Sequence, residues 1–126
     1  MKAVLDASAL LAWMQDEPGA EAVESQLVNG AMSSLNWSEV LQKSLARGVD
    51  IDGLRADLEA LGLTIVPFDA GDAEQTARLW ARGSGLSLAD RACLALGVKH
   101  GVPVWTANRQ WAKSPPAGIA VHVIRE

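Results

Sequence analysis

Apolar and polar residues follow two alternating patterns along this chain. Short apolar runs typical of buried strands occupy residues 3–5, 31–34, 63–68, 102–106 and 119–124. Most of the stretches between them space their apolar residues three and four positions apart, as amphipathic helices do. Strands that alternate with helices predict a central, mostly parallel sheet covered by helices on both faces. The pattern therefore predicts an α/β fold with three layers, α/β/α.

The first predicted strand ends at a carboxylate. Asp6 directly follows the apolar run 3–5, and residues 7–14 then keep helical spacing. Asp6 is therefore expected at the carboxyl end of a strand, where the chain turns into a helix. In open α/β sheets this edge is where ligands bind. The rest of the chain is expected to bring further groups to the point that Asp6 marks.

Three of the predicted helices carry specific expectations. One helix is expected to begin at Asn36. Asp69 is expected to be the N-cap residue of a later helix, because an aspartate there precedes a stretch with helical apolar spacing. Its inward-facing residues are expected to be Ala73, Ala77 and Trp80. The helix that Ser87 opens is apolar nearly all round, and it is therefore expected to be central and buried.

Composition and charge limit the possible functions. The 126 residues suffice for one domain, expected to span residues 1–126, and the formal charge is −4. Bulk charge therefore does not favour a polyanion, and a nucleic-acid partner would require local basic residues or a metal. The sequence has a single cysteine and no signal peptide, which predicts a cytoplasmic protein. It has no apolar run of about 18 residues, so no membrane span is expected.

Four polar residues at element boundaries are the candidates for chemistry: Asp6, Glu39, Asp90 and Asn108. Each also has a simpler explanation as a helix cap. The segments 36–39 and 87–90 have the form of capping boxes, and Asn108 suits an N-cap position before a helical turn at 109–112. Taken singly, capping is the better explanation for each residue.

Taken together, these residues predict a metal site. Asp6 and Asn108 both follow apolar strands, and Asp90 begins the most buried helix, where an unpaired charge is costly. Three converging carboxylates would repel one another without a cation, and oxygen ligands suit Mg²⁺ or Mn²⁺. Ser8 and Thr106 are candidate supporting residues. Ser8 could equally cap the first helix, and Thr106 could be an ordinary strand residue.

Other catalytic arrangements have little support in the sequence. It contains no Gly-rich phosphate loop, and His100 and His122 stand apart from other metal-binding residue types. Cys93 lies among apolar residues in the middle of a predicted helix, which favours a place in the core over a role as nucleophile.

Four segments in order resemble the motifs of a PIN domain, and specifically of a VapC-type toxin from a bacterial toxin–antitoxin pair. The resemblance covers essentially the whole chain. Its four segments are Val4-Leu5-Asp6-Ala7-Ser8-Ala9-Leu10, Asn36-Trp37-Ser38-Glu39-Val40, the run from Leu86 to Leu96, and Val104-Trp105-Thr106-Ala107-Asn108-Arg109-Gln110-Trp111. The third, which contains Ser87-Leu88-Ala89-Asp90, is the most specific.

The resemblance implies a Mg²⁺-dependent endoribonuclease, with Mn²⁺ as an alternative ion. The family's acidic residues fall on Asp6, Glu39 and Asp90, with Asp6 and Asp90 as metal ligands. Its fourth acid falls on Asn108, where an amide replaces a carboxylate. The resemblance also implies a VapB-like antitoxin, an RNA substrate and a homodimer. Candidate RNA contacts are Arg91, Arg109, Lys99 and Lys113, for which ordinary surface charge is the alternative.

Two other functions remain open at this point. The first is a nuclease-impaired PIN module that binds antitoxin or RNA without efficient cleavage, which the amide of Asn108 favours. The second is a receiver-like phosphoacceptor domain, which also places carboxylates at strand ends. The first strand here ends Leu5-Asp6-Ala7, without the acidic pair that such a domain needs, so this alternative ranks low.

Overall fold

The structure, a computed structural model, describes residues 1–112 and 118–125. Its five strands are β1 (Ala3–Leu5), β2 (Gly30–Ser33), β3 (Thr64–Val66), β4 (Val104–Thr106) and β5 (Val121–Val123). Its α-helices are α1 (Ala7–Met14), α2 (Ala20–Leu27), α3 (Ser34–Ala46), α4 (Leu54–Ala60), α5 (Ala70–Arg78) and α6 (Leu88–His100). A 3-10 helix at Arg109–Ala112 lies between β4 and β5.

The strands form one sheet in the order β3-β2-β1-β4-β5, and all of the strand pairs are parallel. The first strand therefore lies at the centre. From β1 the chain builds outward through β2 and β3, and it then returns to place β4 on the other side of β1. The strand order reverses between β1 and β4, and in open α/β sheets ligands bind at the carboxyl ends of strands at such a point.

Hydrophobic cores on both faces of the sheet confirm the three-layer α/β/α prediction. Leu5 packs with residues of α1, α2, α3 and α4, whereas the adjacent Val4 packs with α6. Successive strand residues point to opposite faces, so the two residues place helices on opposite sides of β1. The middle of α6 is buried from Ala92 to Gly97, as its sequence predicted.

Some element boundaries differ from the sequence predictions. The strands are shorter than the apolar runs, and α3 begins at Ser34 rather than at Asn36. Ser33 is both the last residue of β2 and the N-cap of α3, and its hydroxyl accepts a hydrogen bond from the Leu35 N–H. Strand and helix are thus joined without a loop. The predicted capping box at 36–39 is therefore wrong, because Asn36 lies within the first turn of the helix.

The predicted inner face of α5 is also wrong. Ala73, Ala77 and Trp80 are exposed, and the buried residue of this helix is Thr76. The helix ends at Arg78, so Trp80 lies beyond it. The prediction of Asp69 as N-cap is confirmed, and Asp72 completes a capping box there. None of the helices in the described part of the chain is long and apolar enough to cross a membrane.

Candidate active site

Asp6 lies at the centre of a network of hydrogen bonds at the carboxyl end of β1. Its side chain caps α1 by accepting a hydrogen bond from the Ala9 N–H at 2.8 Å. The Thr106 hydroxyl donates to Asp6 Oδ2 at 2.6 Å, and the Ser8 hydroxyl lies 2.8 and 2.9 Å from the two carboxylate oxygens. The capping and the functional interpretations of Asp6 are therefore compatible, because one carboxylate group serves both arrangements.

The environment of Asp6 disfavours its negative charge. The side chain is 5% exposed, and burial raises the pKa of this carboxyl to about 6, with a smaller contribution from the charge of Asp90. The hydrogen bonds from Thr106, Ala9 and Ser8 lower the pKa, but they offset only part of the cost of burial. All of these donors are neutral. A buried carboxylate held by neutral donors fits a site that takes a cation.

Ser8 and Thr106 connect Asp6 to the loop after β4. Ser8 lies inside α1 and is not its cap, and its Oγ accepts a hydrogen bond from the Ala107 N–H at 2.9 Å. The Thr106 Oγ1 accepts one from the Asn108 N–H at 3.0 Å while donating to Asp6. Both hydroxyls thus hold the Asp6 carboxylate against the end of the neighbouring strand.

Glu39 and Asp90 lie near the starts of α3 and α6, and a buried amide connects these two helices. Asn36 is 1% exposed, and its Nδ2 donates to the Ala89 carbonyl oxygen at 3.0 Å and approaches Glu39 Oε1 at 3.5 Å. Asp90 follows Ala89 directly, and its Oδ2 accepts a hydrogen bond from the Ser87 N–H. The capping box predicted for 87–90 is therefore confirmed.

The buried thiol of Cys93 is influenced by the charges of all three acids. This buried thiol lies within electrostatic range of Asp6, Asp90 and Glu39. Burial is the main reason that the pKa of Cys93 is raised well above its usual value, and each of the three carboxylates raises it further. The burial of Cys93 agrees with the prediction that it belongs to the core.

The three acids do not form a ready-made metal site. Within residues 1–112 and 118–125, no three Asp, Glu, His or Cys side chains are grouped closely enough to hold a metal ion. The carboxylate of Asp90 has one oxygen engaged in the capping box with Ser87. The donor chemistry of the region, carboxylate oxygens around a buried acid, nevertheless fits a hard divalent cation.

Asn108 lies at the exposed edge of this region. Its Oδ1 accepts a hydrogen bond from the Gln110 N–H at 3.0 Å, as predicted for a residue that caps the helical turn. Its backbone N–H, rather than its side chain, reaches the network around Asp6, through the hydroxyl of Thr106. The amide side chain therefore has a local structural role that a carboxylate could also fill.

The candidate basic residues have different surroundings. The Arg91 Nη1 donates to the Thr76 carbonyl oxygen at 3.1 Å, in the last turn of α5, where a cation is favourable. Lys99 pairs with Asp72 at 3.1 Å. Arg109 is exposed, and Lys113 lies outside the described residues. His100 is exposed at the end of α6, and His122 stacks on Trp105 with ring centroids 4.7 Å apart.

Asn36 is the residue of this region that sequence reasoning missed. We interpreted it as a helix cap, whereas the structure buries it between two helices. The segment 36–39 suggested capping because its spacing suits a helix start. The actual partner of the amide, Ala89, is 53 residues away, and no local pattern indicates that contact.

The PIN domain family model matches residues 3–115. The chain belongs to the PIN domain family. This assignment confirms the resemblance that the four sequence segments indicated. The match includes all four PIN positions considered above, Asp6, Glu39, Asp90 and Asn108. No curated protein matches the chain.

Solved structures share this PIN fold, among them a toxin–antitoxin complex and a toxin. A toxin–antitoxin complex from Klebsiella pneumoniae aligns with a TM-score of 0.78 at 24% identity, covering 99% of each chain. FitAcB from Neisseria gonorrhoeae aligns with a TM-score of 0.71 at 21% identity, covering 97% of each chain. The toxin VapC20 from Mycobacterium tuberculosis, which cleaves the sarcin–ricin loop, aligns with a TM-score of 0.70 at 13% identity, covering 94% of this chain and 99% of that one. At these identities the likeness concerns the fold.

Proposed function

We propose that this PIN domain is a VapC-type toxin that acts as a metal-dependent endoribonuclease. The observation that carries the proposal is the buried Asp6 carboxylate at the strand-order reversal, whose hydrogen-bond donors among the described residues are neutral, with Glu39 and Asp90 in the same region. Burial disfavours the charged form of this carboxylate, and a bound cation would offset that cost. The structural likeness to toxins, one of them described as cleaving the sarcin–ricin loop, supports RNA as the substrate.

In this proposal each acid has a distinct task. Asp6 and Asp90 together would hold Mg²⁺ or Mn²⁺, directly or through water, and Glu39 has a separate task. A divalent cation there would lower the pKa of water and stabilise the charge that develops on the phosphate. Glu39 accepts a proton from the attacking water or orients a ligand of the ion. Ser8 and Thr106 fix the Asp6 carboxylate, because both hydroxyls contact it.

We also propose an antitoxin of the VapB type as partner and a homodimer as the assembly. The support for the antitoxin is the fold's likeness to a toxin–antitoxin complex from Klebsiella pneumoniae and to a DNA-bound VapBC complex from Salmonella typhimurium. Of the two candidate arginines, Arg109 is the more exposed. Arg91 is partly buried and binds the end of α5, so its role is in large part structural.

The second candidate function is a PIN module that binds antitoxin or RNA but cleaves poorly. The specific observation in its favour is Asn108, whose side chain brings no negative charge and whose Oδ1 caps a helical turn. A site with three acids instead of four would hold a divalent cation more weakly.

Cleavage of a mixed tRNA and rRNA pool tests the proposal. We expect cleavage with Mg²⁺ or Mn²⁺, loss of cleavage with EDTA, and loss of cleavage in Asp6→Asn. Asp57→Asn, an exposed aspartate of α4, is the matched control and should cleave normally. Cleavage that survives both EDTA and Asp6→Asn would overturn the metal mechanism. A folded wild-type protein that binds RNA without cutting it would favour the binding module.

A further inference from the structure

A groove between α1 and α3 begins beside the acid site. The groove has a volume of about 410 Å³. One side is lined by Ser8 and Leu11 of α1 and by Gln15, the C-cap residue of that helix. Ser8 is the same residue whose hydroxyl contacts the Asp6 carboxylate. Ser8 thus belongs both to the wall of the groove and to the network that holds Asp6.

The other wall of the groove carries positive charge. Lys43 and Arg47 line it from α3, and both are exposed. They follow Glu39 at intervals of four residues, so the three side chains lie along one face of the helix. Eight residues at the rise of an α-helix span about 12 Å, so Arg47, the C-cap residue of α3, lies roughly that far along the helix axis from Glu39.

A third cation, Arg125, also lines the groove. Arg125 donates a hydrogen bond to the Pro18 carbonyl oxygen at 3.3 Å and lies 3.7 Å from Glu17. Both Arg125 and Glu17 line the groove, so three cations face one carboxylate. This local excess of positive charge contrasts with the formal charge of −4 for the whole chain.

We propose that this basic groove binds the phosphate backbone of a single RNA strand that continues from the acid site. The inference rests on the proposed ribonuclease function and adds the path of the substrate to it. A strand whose scissile phosphate lies near Asp6 must leave the site along a neighbouring surface. The groove offers such a surface, with cations placed for the phosphates of the next nucleotides. The groove includes none of Arg91, Arg109 and Lys99.

An RNA strand fits the groove better than an acidic peptide does. The groove shares Ser8 with the site where the phosphodiester would react, and two of its cations, Lys43 and Arg47, follow Glu39 at intervals of four residues. A repeating charged backbone matches this arrangement. An acidic peptide remains a distinct occupant that the experiment below detects.

The test measures binding of a fluorescein-labelled, mixed-sequence single-stranded RNA in EDTA, by anisotropy over a series of KCl concentrations. The double variant Lys43→Gln/Arg47→Gln removes two cations from the groove. Arg78→Gln/Arg82→Gln is the control, since it makes the same charge change at exposed residues in and after α5. Lys43→Arg/Arg47→Lys keeps both charges and should bind like the wild type.

We expect the groove variant to bind about tenfold more weakly at low salt, and its salt slope to fall by about 0.7 for each lost phosphate contact. Equal affinities and slopes for the groove and control variants would overturn the proposal. The proposal would also be overturned if the groove variant kept its RNA affinity but lost binding of a poly-glutamate peptide. The occupant of the groove would then be a protein.

The outcome is separable from that of the proposed nuclease function. A protein that binds RNA through the groove but leaves it intact with Mg²⁺ or Mn²⁺ supports the groove and overturns the nuclease. A protein that cleaves RNA with the same KM in the groove and control variants overturns the groove and leaves the nuclease standing.

Discussion

The Thr106 hydroxyl donates a 2.6 Å hydrogen bond to the Asp6 carboxylate, although the two residues are 100 positions apart in the chain. Thr106 is the last residue of β4 and Asp6 directly follows β1, and the strand order reverses between these neighbouring parallel strands. Thr106 is fully buried and Asp6 nearly so. A short hydrogen bond to a carboxylate is strong, and it favours the charged form that burial opposes. A residue at the end of β4 thus helps to keep the carboxyl group that follows β1 ionised.

Replacing Thr106 with valine should raise the pKa of Asp6 further. Val is similar in shape but removes the donor to Asp6 and the acceptor for the Asn108 N–H. We expect a loss of about 1–3 kcal/mol in the free energy of unfolding, since buried polar groups lose partners. The acid limb of the pH–rate profile for RNA cleavage should also move to higher pH. Thr106→Ser keeps the hydroxyl and should show a smaller effect on both measurements.

The raised pKa of Asp6 should make the metal-free protein less stable as the pH rises. The pKa of Asp6 is about 6 in the folded state, above the usual value of 3.8. Between pH 3.8 and about pH 6, the Asp6 carboxyl is therefore protonated in the folded state and ionised in the unfolded state. The stabilisation is complete below pH 3.8 and is lost as the pH rises through about 6, with a total on the order of 3 kcal/mol.

Urea unfolding in EDTA from pH 4 to pH 8 measures this contribution as a difference between variants. Asp6→Asn should lack it, whereas Asp57→Asn should retain it. Identical pH profiles for wild type and Asp6→Asn would show that Asp6 has an ordinary pKa. Addition of Mg²⁺ at pH 8 should stabilise the wild type and not Asp6→Asn.

Replacing Asn36 with aspartate should disturb Glu39 with little change in shape. The substitution removes the amide that donates to Ala89 and approaches Glu39, and it places a like charge beside the carboxylate. A like charge raises the pKa of a carboxyl group. We therefore expect a lower kcat at neutral pH, an acid limb shifted to higher pH, and a KM that changes little.

A matched control for that variant is the exposed neighbour Ser38, changed to aspartate. It adds the same charge to the same helical turn without touching Ala89. If Asn36→Asp and Ser38→Asp shift the pH profile equally, the added negative charge causes the shift, and the loss of the hydrogen bonds of Asn36 does not.

Replacing Asn108 with aspartate should increase metal affinity. A carboxylate oxygen can accept the hydrogen bond from the Gln110 N–H as the amide oxygen does, so the helical turn should be preserved. The added charge should lower the Mg²⁺ concentration for half-maximal cleavage several-fold and raise the rate. Gln110→Glu, exposed and two residues on, is the charge control. If metal dependence and rate are both unchanged, position 108 does not contribute to the metal site.

Local sequence patterns predicted those parts of the fold and site that depend on neighbours in the chain. Asp6 at the end of an apolar run, and Ser87 with Asp90 as a capping box, are arrangements of residues at most three positions apart. The buried middle of α6 likewise followed from its unbroken apolar composition. In each case the residues that make the structure are close together in the sequence.

The failures involve contacts between distant segments. In α5 the large apolar residue Trp80 suggested an inner face, but the helix ends before it and buries Thr76. Arg91 of α6 binds the carbonyl of that threonine, and nothing near Thr76 in the sequence indicates this contact. Asn36 was misinterpreted for the same reason, because its partner Ala89 belongs to another helix.

The position of β1 in the sheet has a consequence for synthesis of the chain. The hydroxyl of Thr106 is synthesised 100 residues after the Asp6 carboxylate that it contacts. Contacts between such distant segments form slowly during folding. A nascent chain on the ribosome therefore holds Asp6 without its partner until β4 has been made. The proposed nuclease activity would have to wait for that step.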